Sequence, residues 1–362
     1  MYSMYKRTLF SRAAVAGLLP LSAFFLASCD PDKDKITPVV GSDSVFVVNE
    51  GRFLSANASI SVFQPASKTV TSKDIFQAAN NRALGDVAQS MAVANNRGYI
   101  VVNNSKKVEV VTLPDFRSAG VITKLRFPRY FAAEGNRGYI TQTRAYDGGP
   151  GQVIVVDLAT NRAVDSINVG VQPERILISS GKAYVANNGE NTISIIDLAT
   201  KAESKVVVGD SPNSLAIDRN GRLWVLCGGK VAYLPDYSVD YGNTTPGSLV
   251  DFMPNAPTAQ NRRTFASNRS VPNRLQRNGN GEQLYFTFLN GVYRMNIGDA
   301  ALPTAPIIRR RLTGLGVDPK DNSIYGGTGL FTADGKIIRY NADGAAQDSA
   351  IVGIGPNGFA FL

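Results

Sequence analysis

The chain of 362 residues contains no histidine, only two cysteines and a single tryptophan. Without an imidazole it can build neither a Ser-His-Asp nor a Cys-His nucleophile, nor a histidine-ligated zinc or iron site. Cys29 and Cys227 are too few for a thiolate metal site, an iron–sulfur cluster or a disulfide framework. We therefore expect no enzyme activity of the common hydrolase types, no cofactor and no metal, and we expect Cys227 to be a buried free thiol.

The first thirty residues have the pattern of an export signal. Three basic residues, Lys6, Arg7 and Arg12, precede or open an apolar stretch at 13–27. That stretch is short for a bilayer span of about 20 residues but suits a signal peptide. Residues 26–29 (LASC) resemble the lipobox of bacterial lipoproteins, in which the cysteine is acylated. The alternative is an ordinary secreted protein whose cysteine falls there by chance.

These features divide the chain into three parts. We predict a signal peptide at 1–28, a polar tether at 29–43 that begins with lipidated Cys29, and a folded body at 44–362. Acyl chains on the cysteine suffice to hold a protein on a membrane. The expected location is the outer membrane, with the cell surface favoured over the periplasmic face.

The basic excess of the chain, formally +9, is partly local. Between residues 255 and 311 there are nine arginines, no lysine, and only Glu282 and Asp299 as acids. Charge alone would allow nucleic-acid binding, but a lipid anchor makes it improbable, and we predict no nucleic-acid partner. An anionic ligand or a lipopolysaccharide-facing surface fits better, and a solvated basic face is the plain alternative.

The body repeats a short pattern about every forty residues. RGYI at 97–100 recurs at 137–140, and VVDLAT at 155–160 has a close copy, IIDLAT, at 195–200. One aromatic residue marks each unit, and these are Phe46, Tyr99, Tyr139, Tyr184, Trp224, Tyr285 and Tyr325. Short β-branched strands separated by Gly, Asn, Asp and Pro turns predict an all-β, seven-bladed β-propeller of four-stranded blades. The aromatic residues are expected in the blade cores rather than stacked on a ligand.

The two ends of the repeat array are complementary. The first unit lacks an innermost strand, and the last unit, after Pro356, stops at an innermost strand. We predict that the C-terminal strand joins the first blade and closes the ring, which removes free sheet edges. The fifth unit is longer than the others, and we predict an insertion at about 235–271.

The repeat resembles the YVTN-type, or YncE-like, seven-bladed propellers, above all at 182–197 (KAYVANNGENTISIID). The opening NEG at 49–51, with NASI at 57–60 and LGDV at 84–87, resembles that of surface lipoprotein propellers of Bacteroidetes-type bacteria. Some of those capture cobalamin and pass it to a TonB-dependent transporter. The resemblance implies a corrinoid, cobalamin or cobinamide, as one candidate ligand, and a TonB-dependent outer-membrane receptor as a partner.

Candidate ligand-binding residues are expected on the top face of the ring, where loops that lead into the innermost strands converge. We predict a polar cup of amides, guanidiniums, carboxylates and a phenol, suited to a large polar ligand. Its residues are Glu50, Asn103, Arg129, Arg144, Tyr146, Glu174, Asn188, Asn213, Asn273, Arg274 and Asn357. For each asparagine, a role in forming the turn is the alternative.

The predicted function is therefore an envelope-anchored lipoprotein that binds a polar small molecule for an outer-membrane uptake system. The alternative from a different class is a protein-interaction scaffold of the envelope that uses the arginine-rich fifth blade. A lyase or hydrolase that acts without histidine is a distant third, because no paired-carboxylate motif or sialidase Asp-box accompanies Glu50 and Glu174.

Overall fold

The computed structural model describes residues 40–145 and 147–362. The predicted signal peptide, Cys29, most of the tether and Tyr146 lie outside the described residues, so what the sequence predicts for them stays a prediction. Within the described ranges, no helix is long and apolar enough to cross a membrane.

The described residues form 27 β-strands and one short helix, and the strands make seven antiparallel sheets, the blades. Blade 1 contains β1 (Val45–Asn49), β2 (Ser59–Gln64) and β3 (Thr69–Ser72), followed by α1 (Ile75–Asn80); blade 2 contains β4 (Ala88–Ala94), β5 (Arg97–Val102), β6 (Lys107–Thr112) and β7 (Ser118–Ile122); and blade 3 contains β8 (Phe127–Glu134), β9 (Arg137–Thr143), β10 (Pro150–Asp157) and β11 (Arg162–Val171). Blade 4 contains β12 (Pro173–Ser179), β13 (Lys182–Asn187), β14 (Thr192–Asp197) and β15 (Glu203–Val207), and blade 5 contains β16 (Pro212–Ile217), β17 (Leu223–Cys227), β18 (Ser248–Phe252) and β19 (Asn261–Thr264). Blade 6 contains β20 (Asn273–Arg277), β21 (Gln283–Phe288) and β22 (Gly291–Asn296); blade 7 contains β23 (Gly314–Val317), β24 (Ile324–Thr328), β25 (Asp334–Tyr340) and β26 (Ala346–Ile354); and β27 (Pro356–Phe361) returns to blade 1.

The innermost strands touch one another around a closed ring. The first strands of successive blades are in contact from β4 through β23, and β27 contacts both β23 and β4. Six blades have four strands, whereas blade 6 has three and carries an isolated bridge between Val292 and Ile308 where its fourth strand would lie. The predicted seven-bladed propeller is confirmed.

Ring closure occurs as the sequence predicts. Strand β27 pairs antiparallel with β1, and Val45 lies opposite Phe361 while Val47 lies opposite Phe359. One blade is thus built from both ends of the folded body, and β1 gains a partner on the side that would otherwise be a free edge.

The aromatic residue of each unit lies in the packed core between blades. The middle strands are covered on both faces by neighbouring blades, which explains their near-continuous apolar runs. The seven aromatic side chains that mark the repeat are all buried, as predicted. Cys227, on β17, is a buried free thiol as expected, and burial raises its pKa to about 12.

Trp224→Ala should lower the free energy of unfolding by about 3–5 kcal/mol, because the indole is fully buried and its removal leaves a large cavity. The indole Nε1 also donates a 2.8 Å hydrogen bond to Asp218 Oδ2, which the substitution leaves unpaired. Urea unfolding followed by circular dichroism measures the change. Val164→Ala, on the exposed outer strand β11, is the control and should stay within about 0.5 kcal/mol of the wild type; equal losses in both variants would contradict the packing described for blade 5.

The predicted insertion at 235–271 is wrong in its bounds. Strands β18 and β19, the two outer strands of blade 5, lie within it and pair with β17 and with each other. The short apolar run of β18 stands among Pro-, Asn- and Arg-rich segments, and β19 is itself polar, so the sequence pattern does not identify either strand. The extra residues form the loop 228–247 between β17 and β18, which we call the blade 5 arm, and the loop 265–272 before β20.

Candidate functional site

One end of the ring carries the predicted site residues, and we call it the top face. In an antiparallel blade, the loop that enters the innermost strand and the loop between the second and third strands emerge at the same end. In blades 1 to 6 the innermost strand also has a bulge close to this end. A bulge redirects side chains, and here it turns residues at the starts of these strands toward the ring axis.

An axial cavity of about 260 Å³ opens at the centre of the top face. Its polar lining comes from the beginnings of the innermost strands and from the loop after β1. The polar and charged side chains around it are Glu50, Gln89, Ser90, Arg129, Tyr130, Arg175, Arg274, Gln276 and Asn357. Three guanidiniums from three different blades therefore face one small space.

Two of these arginines are held by contacts within the cavity wall. Arg129 forms an ion pair with Glu174, with 2.6 Å between Nη2 and Oε1, and its Nη1 donates to Gln89 Oε1 at 2.7 Å. The guanidinium carbon of Arg175 lies 4.4 Å from the centroid of the Tyr130 ring. These contacts fix the guanidiniums before any ligand arrives.

Arg274 and Asn357 are in direct contact in the cavity wall. Arg274 has φ of 62°, a conformation that is uncommon for a residue other than glycine, and its Nη1 donates to the backbone oxygen of Asn357 at 3.2 Å. Burial lowers the pKa of Arg274, although an arginine remains charged at neutral pH. Asn357 Oδ1 is buried and has no hydrogen-bond partner among the described residues.

Glu50 is the carboxylate that lines this cavity. Its burial raises its pKa, and the hydrogen bond from Asn357 Nδ2 and the charges of Arg129 and Arg274 offset part of that rise. The carboxylate is thus close to three donors yet poorly hydrated, and its protonation changes the charge of the cavity directly.

The structure brings together only part of the predicted cup. Glu50, Arg129, Arg274 and Asn357 line the axial cavity, and Glu174 joins them through Arg129. The other asparagines and Arg144 are placed differently.

Asn103 is buried and donates to Pro128 O at 2.9 Å, so it anchors a turn, as the alternative interpretation proposed. Arg144 is exposed and lines none of the cavities described here. Asn188, Asn213 and Asn273 line a separate cleft of about 650 Å³ beneath the blade 5 arm. A further hollow of about 430 Å³, lined by Asn273 and Arg274 among others, lies between that cleft and the axial cavity.

Among the lining residues, Gln89, Ser90, Tyr130 and Gln276 are missing from the sequence prediction. Gln89 occupies the position in β4 that Arg129 occupies in β8, because Met91 and Phe131 pair with the equivalent isoleucines Ile100 and Ile140. Blade 2 has alanine where blades 1, 3, 4, 5 and 6 have proline at or just before the innermost strand. The pattern that identified Arg129 therefore does not identify Gln89. The described residues contain no group of three or more His, Cys, Asp or Glu side chains that could hold a metal ion.

Solved structures share the propeller fold at low sequence identity. A functionally unknown protein from Desulfotomaculum acetoxidans is 12% identical, with a TM-score of 0.64, covering 89% of this chain and 99% of its own. A candidate 6-phosphogluconolactonase from Bacteroides uniformis is 12% identical, with a TM-score of 0.63 and coverages of 89% and 100%. Kuenenia stuttgartiensis hydrazine synthase is 14% identical, with a TM-score of 0.59 and coverages of 77% and 92%. At such identities the likeness shows the fold alone, and it includes enzymes.

No curated protein matches the chain. A family model described as "Domain of unknown function (DUF5074)" matches residues 43–338, which is most of the propeller. The chain therefore belongs to the DUF5074 family.

Proposed function

We propose that this protein binds a small polar molecule that carries an anionic group, and that the anionic group enters the axial cavity. The observation that carries the proposal is the convergence of Arg129, Arg175 and Arg274 on one polar cavity. Preformed guanidiniums bind phosphate or carboxylate groups through charge-assisted hydrogen bonds. The side-chain amides of Gln89 and Gln276, which also line the cavity, add neutral donors and acceptors.

The side chains around the axial cavity support ligand binding without catalysis. The carboxylate of Glu174 is paired with Arg129, and that of Glu50 accepts from Asn357. The Ser90 hydroxyl in the same cavity donates to the backbone oxygen of Arg129 at 2.8 Å, and the chain has no histidine to serve as a base for it. The enzymes among the structural neighbours share only the fold.

A corrinoid is the ligand we propose to test first. Cobalamin carries several amides and one phosphodiester, which together match a cup of arginines and amides. It is larger than the axial cavity, so its phosphodiester would enter the cavity while the corrin ring lay across the hollows beside it.

We also propose that the protein is an outer-membrane lipoprotein, anchored through Cys29 at the cell surface, that works beside a TonB-dependent receptor. A cluster on neighbouring blades supports a protein contact on the top face. Phe53 and Leu54 follow β1, Leu330 and Phe331 follow β24, and all four side chains are exposed. Exposed apolar side chains in one region commonly mark an interface.

The second candidate is an envelope scaffold that binds a protein through the arginine-rich segment. Its support is the exposure of three consecutive arginines, 309–311, before β23. Deleting 236–270 would remove β18 and β19, so the test is the double variant R309A/R310A, which spares Arg311 because that residue lines the hollow beside the axial cavity. Loss of a crosslinked envelope protein with unchanged small-molecule binding would favour the scaffold.

Calorimetric titration of the purified full-length protein with cyanocobalamin tests the proposed function. We expect saturable one-to-one binding with a Kd between nanomolar and micromolar, equivalent to about 8–12 kcal/mol. No heat of binding at saturating ligand would overturn the corrinoid proposal.

Binding of an anionic ligand should strengthen as the pH falls. The pKa of Glu50 is raised by burial, so its carboxylate becomes neutral at a higher pH than an exposed glutamate does. Neutralisation removes a negative charge beside Arg129 and Arg274, whereas a phosphodiester stays ionised. We expect severalfold tighter cyanocobalamin binding near pH 5 than near pH 7.5 by calorimetry, and little change with pH in Glu50→Gln; the same slope in both proteins would contradict this role for Glu50.

A further inference from the structure

The cleft beneath the blade 5 arm differs chemically from the axial cavity. It has a volume of about 650 Å³, and Lys230 is the one charged side chain among its described lining residues. The rest of its polar lining consists of neutral groups, namely Gln172, Asn188, Ser211, Asn213 and Asn273. A volume of this size is in the range of small-molecule sites.

Some of these side-chain amides form hydrogen bonds within the protein, whereas others have donors or acceptors that form none. Asn213 donates to Pro272 O at 2.9 Å and accepts from Ser214, so it holds the wall together. Asn273 Oδ1 accepts from the backbone of Arg274, which leaves its Nδ2 open. Asn188 donates through Nδ2, which leaves Oδ1 open, and the amide of Gln172 forms no hydrogen bond among the described residues. Donors and acceptors are therefore both available.

The aromatic side chain of Tyr233 forms part of the cleft wall. Tyr233 lines the cleft and is 63% exposed, although its backbone bridges to Val239 within the arm. The arm is tied down at its base, where Asn268 Nδ2 donates to Tyr241 O at 2.8 Å and to Thr244 O at 2.9 Å. Because the backbone of the arm is anchored, stacking of a ligand on the exposed Tyr233 ring costs only the freedom of that side chain and not the ordering of the loop.

We propose that this cleft is a second binding site, separate from the axial cavity, and that its ligand is a neutral oligosaccharide. Hydroxyl groups both donate and accept, which matches the open amides of Gln172, Asn188 and Asn273. The C–H face of a sugar ring is apolar and packs on an aromatic ring such as that of Tyr233. A ligand with strong negative charge could form an ion pair only with Lys230 in this cleft, so it would bind more strongly to the arginines of the axial cavity.

The test combines a glycan array with titration of the purified full-length protein. The array carries neutral, N-acetylated and acidic oligosaccharides, both free-ended and as glycolipid headgroups, so that a free glycan and an envelope glycolipid are distinguished. We expect binding to neutral or N-acetylated members. The affinity for the best of them should fall at least about tenfold in Tyr233→Ala and in Gln172→Ala.

Matched controls distinguish binding in this cleft from binding elsewhere on the blade 5 arm and from binding at the axial cavity. Tyr237→Ala, at the arm residue that is 89% exposed and outside the cleft lining, should bind as the wild type does. Arg129→Ala with Arg274→Ala should leave oligosaccharide binding unchanged while it removes the axial ligand. Binding to acidic glycans alone, no binding to the array, or binding that survives both cleft substitutions would overturn the proposal without affecting that for the axial cavity.

Discussion

A chain that ends at Gly355 is expected to form no stable ring. Strand β27 supplies the innermost strand of blade 1 and contacts the innermost strands on both sides, β23 and β4. Without it, β1 has an unpaired edge, and the aromatic contacts of Tyr325 with Phe359 and Phe361, at 5.8 and 5.7 Å between ring centroids, are lost. We expect no cooperative thermal transition by circular dichroism and elution as aggregate in size-exclusion chromatography.

The control is a chain that lacks only Leu362, the residue after β27. It should melt within a few degrees of the full-length protein, because the pairing of β27 with β1 is intact. A cooperative transition of similar midpoint in the chain that ends at Gly355 would contradict closure of the ring by β27.

Arg129→Ala combined with Arg274→Ala is expected to weaken binding of the axial ligand at least about 100-fold, or about 2.7 kcal/mol. Truncating one partner of a desolvated charged hydrogen bond commonly costs about 2–5 kcal/mol, and here two such donors are removed. The loss of Arg129 also leaves Glu174 without its ion-pair partner, so the cavity becomes more negative. Calorimetry with cyanocobalamin measures the change.

Arg144→Ala is the matched control, because Arg144 is an exposed top-face arginine outside the axial cavity. It should bind cyanocobalamin as the wild type does. Thermal melting of both variants checks that the ring is intact. Unchanged affinity in the double variant, or equal losses in both proteins, would show that the axial arginines do not hold the ligand.

The sequence predicts the ring because every blade buries an aromatic side chain at the same position. Tyr99 and Tyr139 recur at the same place in successive blades, so their spacing reports a packing requirement that holds for every unit. The missing innermost strand of the first unit likewise predicts β27, since a free edge must be covered.

The site is predicted less well because its residue types also form turns. Asn103 and Asn213 have the side chain expected of a ligand-binding loop, yet their amides hold neighbouring backbone oxygens. Whether Arg144 points to the axis depends on the direction of its loop. A sequence pattern does not predict that direction. Gln89 has no flanking proline, and only the register of β4 with β5 shows that it matches Arg129.

The most direct test of an anion-binding axial cavity is the ratio of affinities for cyanocobalamin and cobinamide, measured by calorimetry on the same protein. The two share the corrin ring and its amides, but cobinamide lacks the phosphodiester and the nucleotide that it carries. If the guanidiniums of Arg129, Arg175 and Arg274 bind that phosphodiester, cyanocobalamin should bind at least about tenfold more tightly. Equal affinities, or no binding of either compound, would contradict the account.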